Sequence, residues 1–112
     1  MLELNSIDDL NRVLADSAAK PVILFKHSTR CPISFAAFDE YQSFVQSIDE
    51  NEILCTFLDL IEHRDVSAEI ADKTAVVHQS PQAIIIVGGV VQWSATHSAI
   101  NLTSLQQAVS AL

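Results

Sequence analysis

The most informative part of the chain reads Val22-Ile23-Leu24-Phe25-Lys26-His27-Ser28-Thr29-Arg30-Cys31-Pro32-Ile33-Ser34. It opens with an apolar run, and a helical pattern follows Pro32, so Cys31 stands where a buried strand turns into a helix. Backbone N–H groups at a helix start lack intrahelical partners, and the helix dipole places partial positive charge there. Both effects favour a thiolate, so we expect Cys31 to be a reactive, nucleophilic thiol.

The residues around Cys31 have separate expected roles. Ser34 stands where a Cys-x-x-Cys redox pair has its second thiol, so the motif offers one nucleophile and no resolving partner. We expect the Ser34 hydroxyl or N–H to point back to the sulfur. Thr29 is expected to shape the turn through local backbone bonds, and Arg30 to add positive charge near the thiol. Pro32 suits the first helical turn, where its missing N–H costs nothing.

Composition narrows the class of protein. The chain has 112 residues, 49% of them hydrophobic, which predicts a single domain over residues 1–112 with a real core. Its net charge of -8 argues against nucleic-acid and anionic-membrane partners, because both require a basic surface. The first residues lack the pattern of a signal peptide, and the longest apolar stretch is too short to cross a bilayer. We therefore expect a cytoplasmic protein.

Apolar periodicity predicts alternating helices and strands. Helices are expected over residues 7–18, from Pro32 onward, over Asp65–Lys73, and after a cap at Asn101 or Thr103, with Leu105, Val109 and Leu112 as the buried stripe of the last helix. Strands are expected at Val22–Lys26, Ile53–Leu60, Ala83–Val87 and Val90–Trp93, the last two forming a hairpin around Gly88-Gly89. A full helix separates the first two strands, so they must be parallel. The result is an α/β domain with a mixed four-stranded sheet and helices on both faces, which resembles the thioredoxin-like fold.

A second element precedes the third predicted strand. Ser80-Pro81-Gln82 places a proline where it cannot donate to a sheet ladder. In thioredoxin-like folds the proline at this point is cis and lies beside the reactive cysteine. The residue before it, here Ser80, exposes backbone groups that can pair with an extended thiol substrate. Without the fold resemblance, an ordinary trans proline would be expected.

The remaining cysteine and the histidines carry less chemistry. Cys55 lies within an apolar strand, so we expect a buried, inert thiol that is too far from Cys31 for a disulfide. The four histidines show no metal-ligand spacing, and we predict no metal site. His27 ends the strand near Cys31 and is expected to tune its charge, and Trp93 is expected to pack in the core or at its rim. The alternative for Cys31 itself is a buried residue that packs as a small hydrophobe.

Three segments resemble one known family. They are His27-Ser28-Thr29-x-Cys31-Pro32-Ile33-Ser34, His78-x-Ser80-Pro81-Gln82-Ala83-Ile84-Ile85 and Trp93-x-x-x-His97-Ser98-x-Ile100. Together they are similar to the monothiol bacilliredoxins of the YtxJ type, and the similarity spans essentially the whole chain. The resemblance implies a cytosolic bacterial enzyme that removes bacillithiol from mixed disulfides on other proteins. By position it makes Cys31 the nucleophile, Ser34 the replacement for a resolving cysteine, and Pro81 the cis proline.

The sequence thus predicts a monothiol thiol–disulfide oxidoreductase. Its partners would be S-thiolated client proteins, a low-molecular-weight thiol such as bacillithiol as co-substrate, and an external thiol or reductase that clears Cys31. No tightly bound cofactor is expected. One alternative is a binding module that holds an iron–sulfur cluster between two subunits, as monothiol sites can. Another is a non-enzymatic adaptor in which Cys31 is a redox sensor or is buried.

Overall fold

A five-stranded mixed sheet forms the centre of the computed structural model, which describes all residues 1–112. The strands are β1 (Leu2–Glu3), β2 (Val22–His27), β3 (Leu54–Asp59), β4 (Gln82–Val87) and β5 (Val90–Thr96), and they lie in the order β1-β3-β2-β4-β5. The helices are α1 (Ile7–Asp16), α2 (Pro32–Gln46), α3 (Arg64–Thr74) and α4 (Leu102–Ser110), with a 3-10 turn at His97–Ala99. As predicted, β2 and β3 are parallel and the β4–β5 hairpin is antiparallel. No helix is both long and apolar enough to cross a membrane.

The sheet has five strands, whereas the sequence predicted four, and the unpredicted strand is β1. Leu2–Glu3 adds a short parallel edge to β3, and the Leu4 N–H continues the pairing by donating to Phe57 O at 2.8 Å. Two residues are too few to show the alternation on which a strand prediction depends. Leu4 is fully buried, so it packs this edge onto the core.

The central position of β2 in the sheet explains the uninterrupted apolar run Val22–Phe25. All of its residues are buried, because helices cover both faces of the sheet. Ile23 and Phe25 pack into a cluster with residues of α2 and α4, whereas Val22 and Leu24 pack into a second cluster with residues of α1 and α3. Lys26 lies on the same face as Val22 and Leu24, and it is the one fully buried charged residue of the chain.

The strand register positions the two elements that the sequence singled out. β2 and β4 are antiparallel, and Lys26 pairs with Gln82. The end of β2, which leads to Cys31, therefore lies beside the start of β4, which follows Pro81. On β5, Trp93 pairs with Ile85 and packs partly buried against the α2–α4 cluster, as predicted for a core or rim residue.

The last helix, α4, ends before the last residue of the apolar stripe that the sequence predicted for it. Asn101 is its N-cap and forms a capping box with Ser104, which resolves the choice between Asn101 and Thr103. Leu105 is fully buried, but Leu112 is 49% exposed, so the prediction that Leu112 is buried is wrong. The helix ends at Ser110, so Leu112 lies outside it and does not continue its buried face.

The same substitution at these two leucines should have different effects. We expect Leu105→Ala to lower the free energy of unfolding by about 2–5 kcal/mol, because it leaves a cavity in the core. Leu112→Ala should change it by less than about 1 kcal/mol, because the side chain is half exposed. Urea denaturation of both variants measures the difference. Equal losses would contradict the assigned burial of the C-terminal segment.

Candidate active site

Cys31 is the N-cap residue of α2, and Pro32 occupies the first helical turn. Its backbone is extended (φ -120°, ψ 118°), and its side chain makes no capping hydrogen bond. The Cys31 N–H donates to Ser28 O at 3.3 Å, and Cys31 O accepts from the Phe35 N–H at 3.2 Å. Cys31 is partly exposed at the N-terminus of this 15-residue helix.

Ser34 holds the loop between β2 and α2. Its side chain is fully buried, and its Oγ accepts a hydrogen bond from the Ser28 N–H at 2.9 Å. The same oxygen lies 2.7 Å from His27 Nδ1. The hydroxyl therefore bonds to these two groups and not to the Cys31 sulfur, whereas the alternative that the Ser34 N–H points back to the sulfur stays a prediction. Ser34 instead connects the last residue of β2 to the first turn of α2.

His27 is buried between aromatic rings. It stacks on Phe38 with centroids 4.5 Å apart and meets the edge of Phe35 at 4.7 Å. Burial lowers its pKa, although Asp59 and Asp39 oppose the shift. The direction of the bond between His27 Nδ1 and Ser34 Oγ depends on which ring nitrogen carries the proton. The bond to Ser34 gives His27 a role in shaping the loop, and the expectation that His27 tunes the charge of Cys31 stays a prediction.

The Ser80–Pro81 peptide bond is cis, as the fold resemblance implies. Pro81 is buried, and its carbonyl oxygen accepts a hydrogen bond from the His97 N–H at 3.2 Å. This bond joins the start of β4 to the 3-10 turn. Ser80 Oγ is buried without a hydrogen-bond partner.

Thr29 and Arg30 are exposed in the loop that precedes Cys31. Arg30 forms no salt bridge, so its guanidinium charge is not neutralised by a carboxylate of the chain. Beyond Cys31, Ile33 is 55% exposed and Phe35 47% exposed. The sequence analysis assigned no role to these two exposed apolar side chains on the first turns of α2.

Cys55 is buried on β3, as predicted, and both cysteines are free thiols. Burial raises the pKa of Cys55 to about 11, and the nearby Glu50 carboxylate adds to the shift. Such a thiol is protonated at neutral pH and does not act as a nucleophile. No group of three or more His, Cys, Asp or Glu side chains is arranged to hold a metal ion.

Removing the Ser34 hydroxyl should destabilise the site. In Ser34→Ala the buried Ser28 N–H loses its acceptor, so we expect the free energy of unfolding to fall by about 1–3 kcal/mol. Ser43→Ala is the matched control, because Ser43 is exposed on the same helix. Denaturant unfolding compares the two variants. A loss for Ser34→Ala no larger than that for Ser43→Ala would contradict the role of Ser34 in holding the loop.

Stability should also depend on pH near neutrality. The pKa values of His27 and His78 are lowered in the folded chain, so the unfolded chain binds more protons below the ordinary histidine value of about 6.5. The free energy of unfolding should therefore fall as the pH drops from about 7.5 to about 5.5. Urea denaturation at both values measures the drop, and His27→Gln should make it smaller. An unchanged drop in His27→Gln would contradict the burial of a neutral His27.

Known proteins share this fold and this sequence pattern. A structure described as a candidate oxidoreductase with a thioredoxin fold is 39% identical, with a TM-score of 0.85 over 96% of this chain and 92% of that one. Thioredoxin from Fasciola hepatica (14% identity, TM-score 0.79, 99% and 98% covered) and mitochondrial thioredoxin 3 from Saccharomyces cerevisiae (13%, 0.77, 100% and 95%) share the fold alone. The profile of the family described as monothiol bacilliredoxin BrxC matches residues 2–105. The chain belongs to this monothiol bacilliredoxin family and is a thiol–disulfide oxidoreductase.

Proposed function

We propose that the protein removes bacillithiol from mixed disulfides on client proteins, with Cys31 as its nucleophile. The observation that carries the proposal is the isolation of this thiol. Cys31 lies partly exposed at the start of α2, while Cys55 is buried and its pKa is raised to about 11. A site with one usable thiol suits the transfer of a small thiol rather than the formation of an internal disulfide.

The reaction is a single thiol–disulfide exchange. The Cys31 thiolate attacks the bacillithiol sulfur of the mixed disulfide, a new S–S bond forms, and the original S–S bond breaks. The client leaves as a thiolate, which takes a proton from water, and Cys31 carries the bacillithiol. No net oxidation occurs, because one disulfide replaces another. An external thiol or a reductase then attacks this new disulfide and restores Cys31.

The absence of a second thiol at residue 34 supports this order of events. The fully buried Ser34 hydroxyl is bonded to the Ser28 N–H and to His27 Nδ1. It cannot form a disulfide, so the mixed disulfide on Cys31 persists until an external partner resolves it. The position therefore supplies loop geometry and no redox chemistry.

The surroundings of Cys31 support substrate binding in this proposal. Ser80 lies just before β4, whose first residue, Gln82, pairs with Lys26 near the end of β2 that leads to Cys31. Thr29 and Arg30 on one side, and the exposed Ile33 and Phe35 on the other, give polar, cationic and apolar contacts to a client surface. Pro32 starts the helix that stabilises the attacking and departing thiolates.

The proposed location is the cytoplasm, where disulfides are normally reduced and a dethiolating enzyme has substrates. The proposed partners are S-bacillithiolated proteins and the thiol or reductase that regenerates Cys31.

A dethiolation assay tests the proposal. We expect the protein to convert a bacillithiolated client to its reduced form while its own mass rises by one bacillithiol, as followed by intact-mass spectrometry. Cys31→Ser should abolish both changes. Cys55→Ala is the matched control and should retain them, because the buried thiol takes no part.

Two results would contradict the proposal. One is an equal rate of client reduction with Cys31→Ser. The other is rapid exchange with client disulfides but no bacillithiol adduct on Cys31. Visible absorbance after anaerobic purification, lost in Cys31→Ser, would instead favour the iron–sulfur binding function.

A further inference from the structure

A cavity of about 370 Å³ lies against α3, which packs with α1 on the face of the sheet opposite α2. It is lined by Leu60, Arg64, Ser67, Ala68, Ala71 and His78. None of these residues is acidic, although the chain as a whole carries a net charge of -8. The polar side chains of the lining are thus hydrogen-bond donors or cations, and the rest are small or apolar.

A buried ammonium group lies directly behind this lining. Lys26 is 0% exposed, and its Nζ lies 3.1 Å from Ser67 O and 3.1 Å from His78 Nδ1. No carboxylate lies within salt-bridge distance of it. The chain supplies two acceptors for the three N–H donors of this ammonium, Ser67 O and His78 Nδ1. Burial lowers the pKa of Lys26 to about 8, which leaves the group largely cationic at neutral pH.

Lys26 also determines the state of His78. Because the ammonium donates to Nδ1, the imidazole proton is on Nε2, on the other side of the ring. Burial and the charges of Lys26 and Arg64 lower the pKa of His78, in agreement with a neutral ring. His78 therefore offers one N–H on its far side. Arg64 has no carboxylate partner and offers its guanidinium to the same cavity.

We propose that this cavity binds a small carboxylate with a short aliphatic portion. The carboxylate would accept hydrogen bonds from Arg64 and the His78 Nε2–H, and its charge would offset the uncompensated ammonium of Lys26. Leu60, Ala68 and Ala71 would contact the aliphatic portion. Cys31 is not part of the lining, so this is a second site, and its ligand would supply the negative charge that the chain does not place beside Lys26.

NMR titration of the full chain with sodium butyrate at constant ionic strength tests the site. We expect saturable shifts confined to the amides around Arg64–Ala71 and His78, with a Kd of the order of 1–10 mM, as suits so small a ligand. Arg64→Gln should weaken binding about tenfold, since it removes a charge-assisted hydrogen bond. Lys26→Met, checked for folding from the same spectra, should weaken it several-fold. Arg12→Gln, an exposed cation elsewhere, should leave the Kd unchanged.

Titrations with butyramide and with inorganic phosphate test the aliphatic portion and the negative charge of the ligand separately. Butyramide keeps the aliphatic portion without the charge, and we expect it to bind at least about tenfold more weakly than butyrate. Binding of butyramide equal to that of butyrate would overturn recognition of an anion. Phosphate that binds as tightly as butyrate would overturn the aliphatic part of the proposal. Non-saturable shifts, or a Kd that changes as much in Arg12→Gln as in Arg64→Gln, would overturn the site itself.

Discussion

The two hydrogen bonds at Ser34 Oγ are the constraint on which the candidate site depends. They join the end of β2, through His27, to the first turn of α2, and they fix the Ser28 N–H between them. The loop of residues 28–31 is held at both ends as a result, and Cys31 is placed at the helix start with a free side chain. Without an acceptor, the N–H of the buried Ser28 would cost about 1–3 kcal/mol, so the Ser34 oxygen stabilises the conformation in which the thiol is presented.

The sequence predicted the fold well where a single physical signal dominates. A continuous apolar run with helices on both sides indicates a central buried strand, and β2 has that environment. Side-chain capping narrowed the start of the last helix to two residues, of which Asn101 accepts a hydrogen bond from the Ser104 N–H. The edge strand at Leu2–Glu3 had no such signal, because its pairing with β3 depends on a partner more than fifty residues away. Periodicity also extended α4 to Leu112, since it does not show where a helix ends.

For the candidate site, the sequence predicted where the key residues lie in the fold better than it predicted which side chains they contact. The strand-to-helix junction at Cys31, the proline at residue 81 and the buried state of Cys55 followed from local pattern or from the family resemblance. The partner of Ser34 did not, because the ring of His27 reaches it only once β2 and α2 pack together. Lys26 was the clearest missed signal. A lysine inside a buried strand has to find polar partners or lose its charge, and this alone marks it for attention.

The segment before Pro81 is neither helix nor strand, and it is held in place by Lys26 and by its register partner on β4, Gln82. Gln82 Nε2 donates to Val77 O at 3.0 Å, while Lys26 donates to His78 and to Ser67 O. Because the two strand residues are register partners, they hold Val77 and His78 from adjacent points of a rigid sheet. The Ser34 hydroxyl of α2 thus holds the loop that leads to Cys31, and a buried ammonium and amide of the sheet hold the segment that leads to Pro81. A buried apolar residue at either strand position would fill the space but would leave the Val77 or Ser67 carbonyl without its donor.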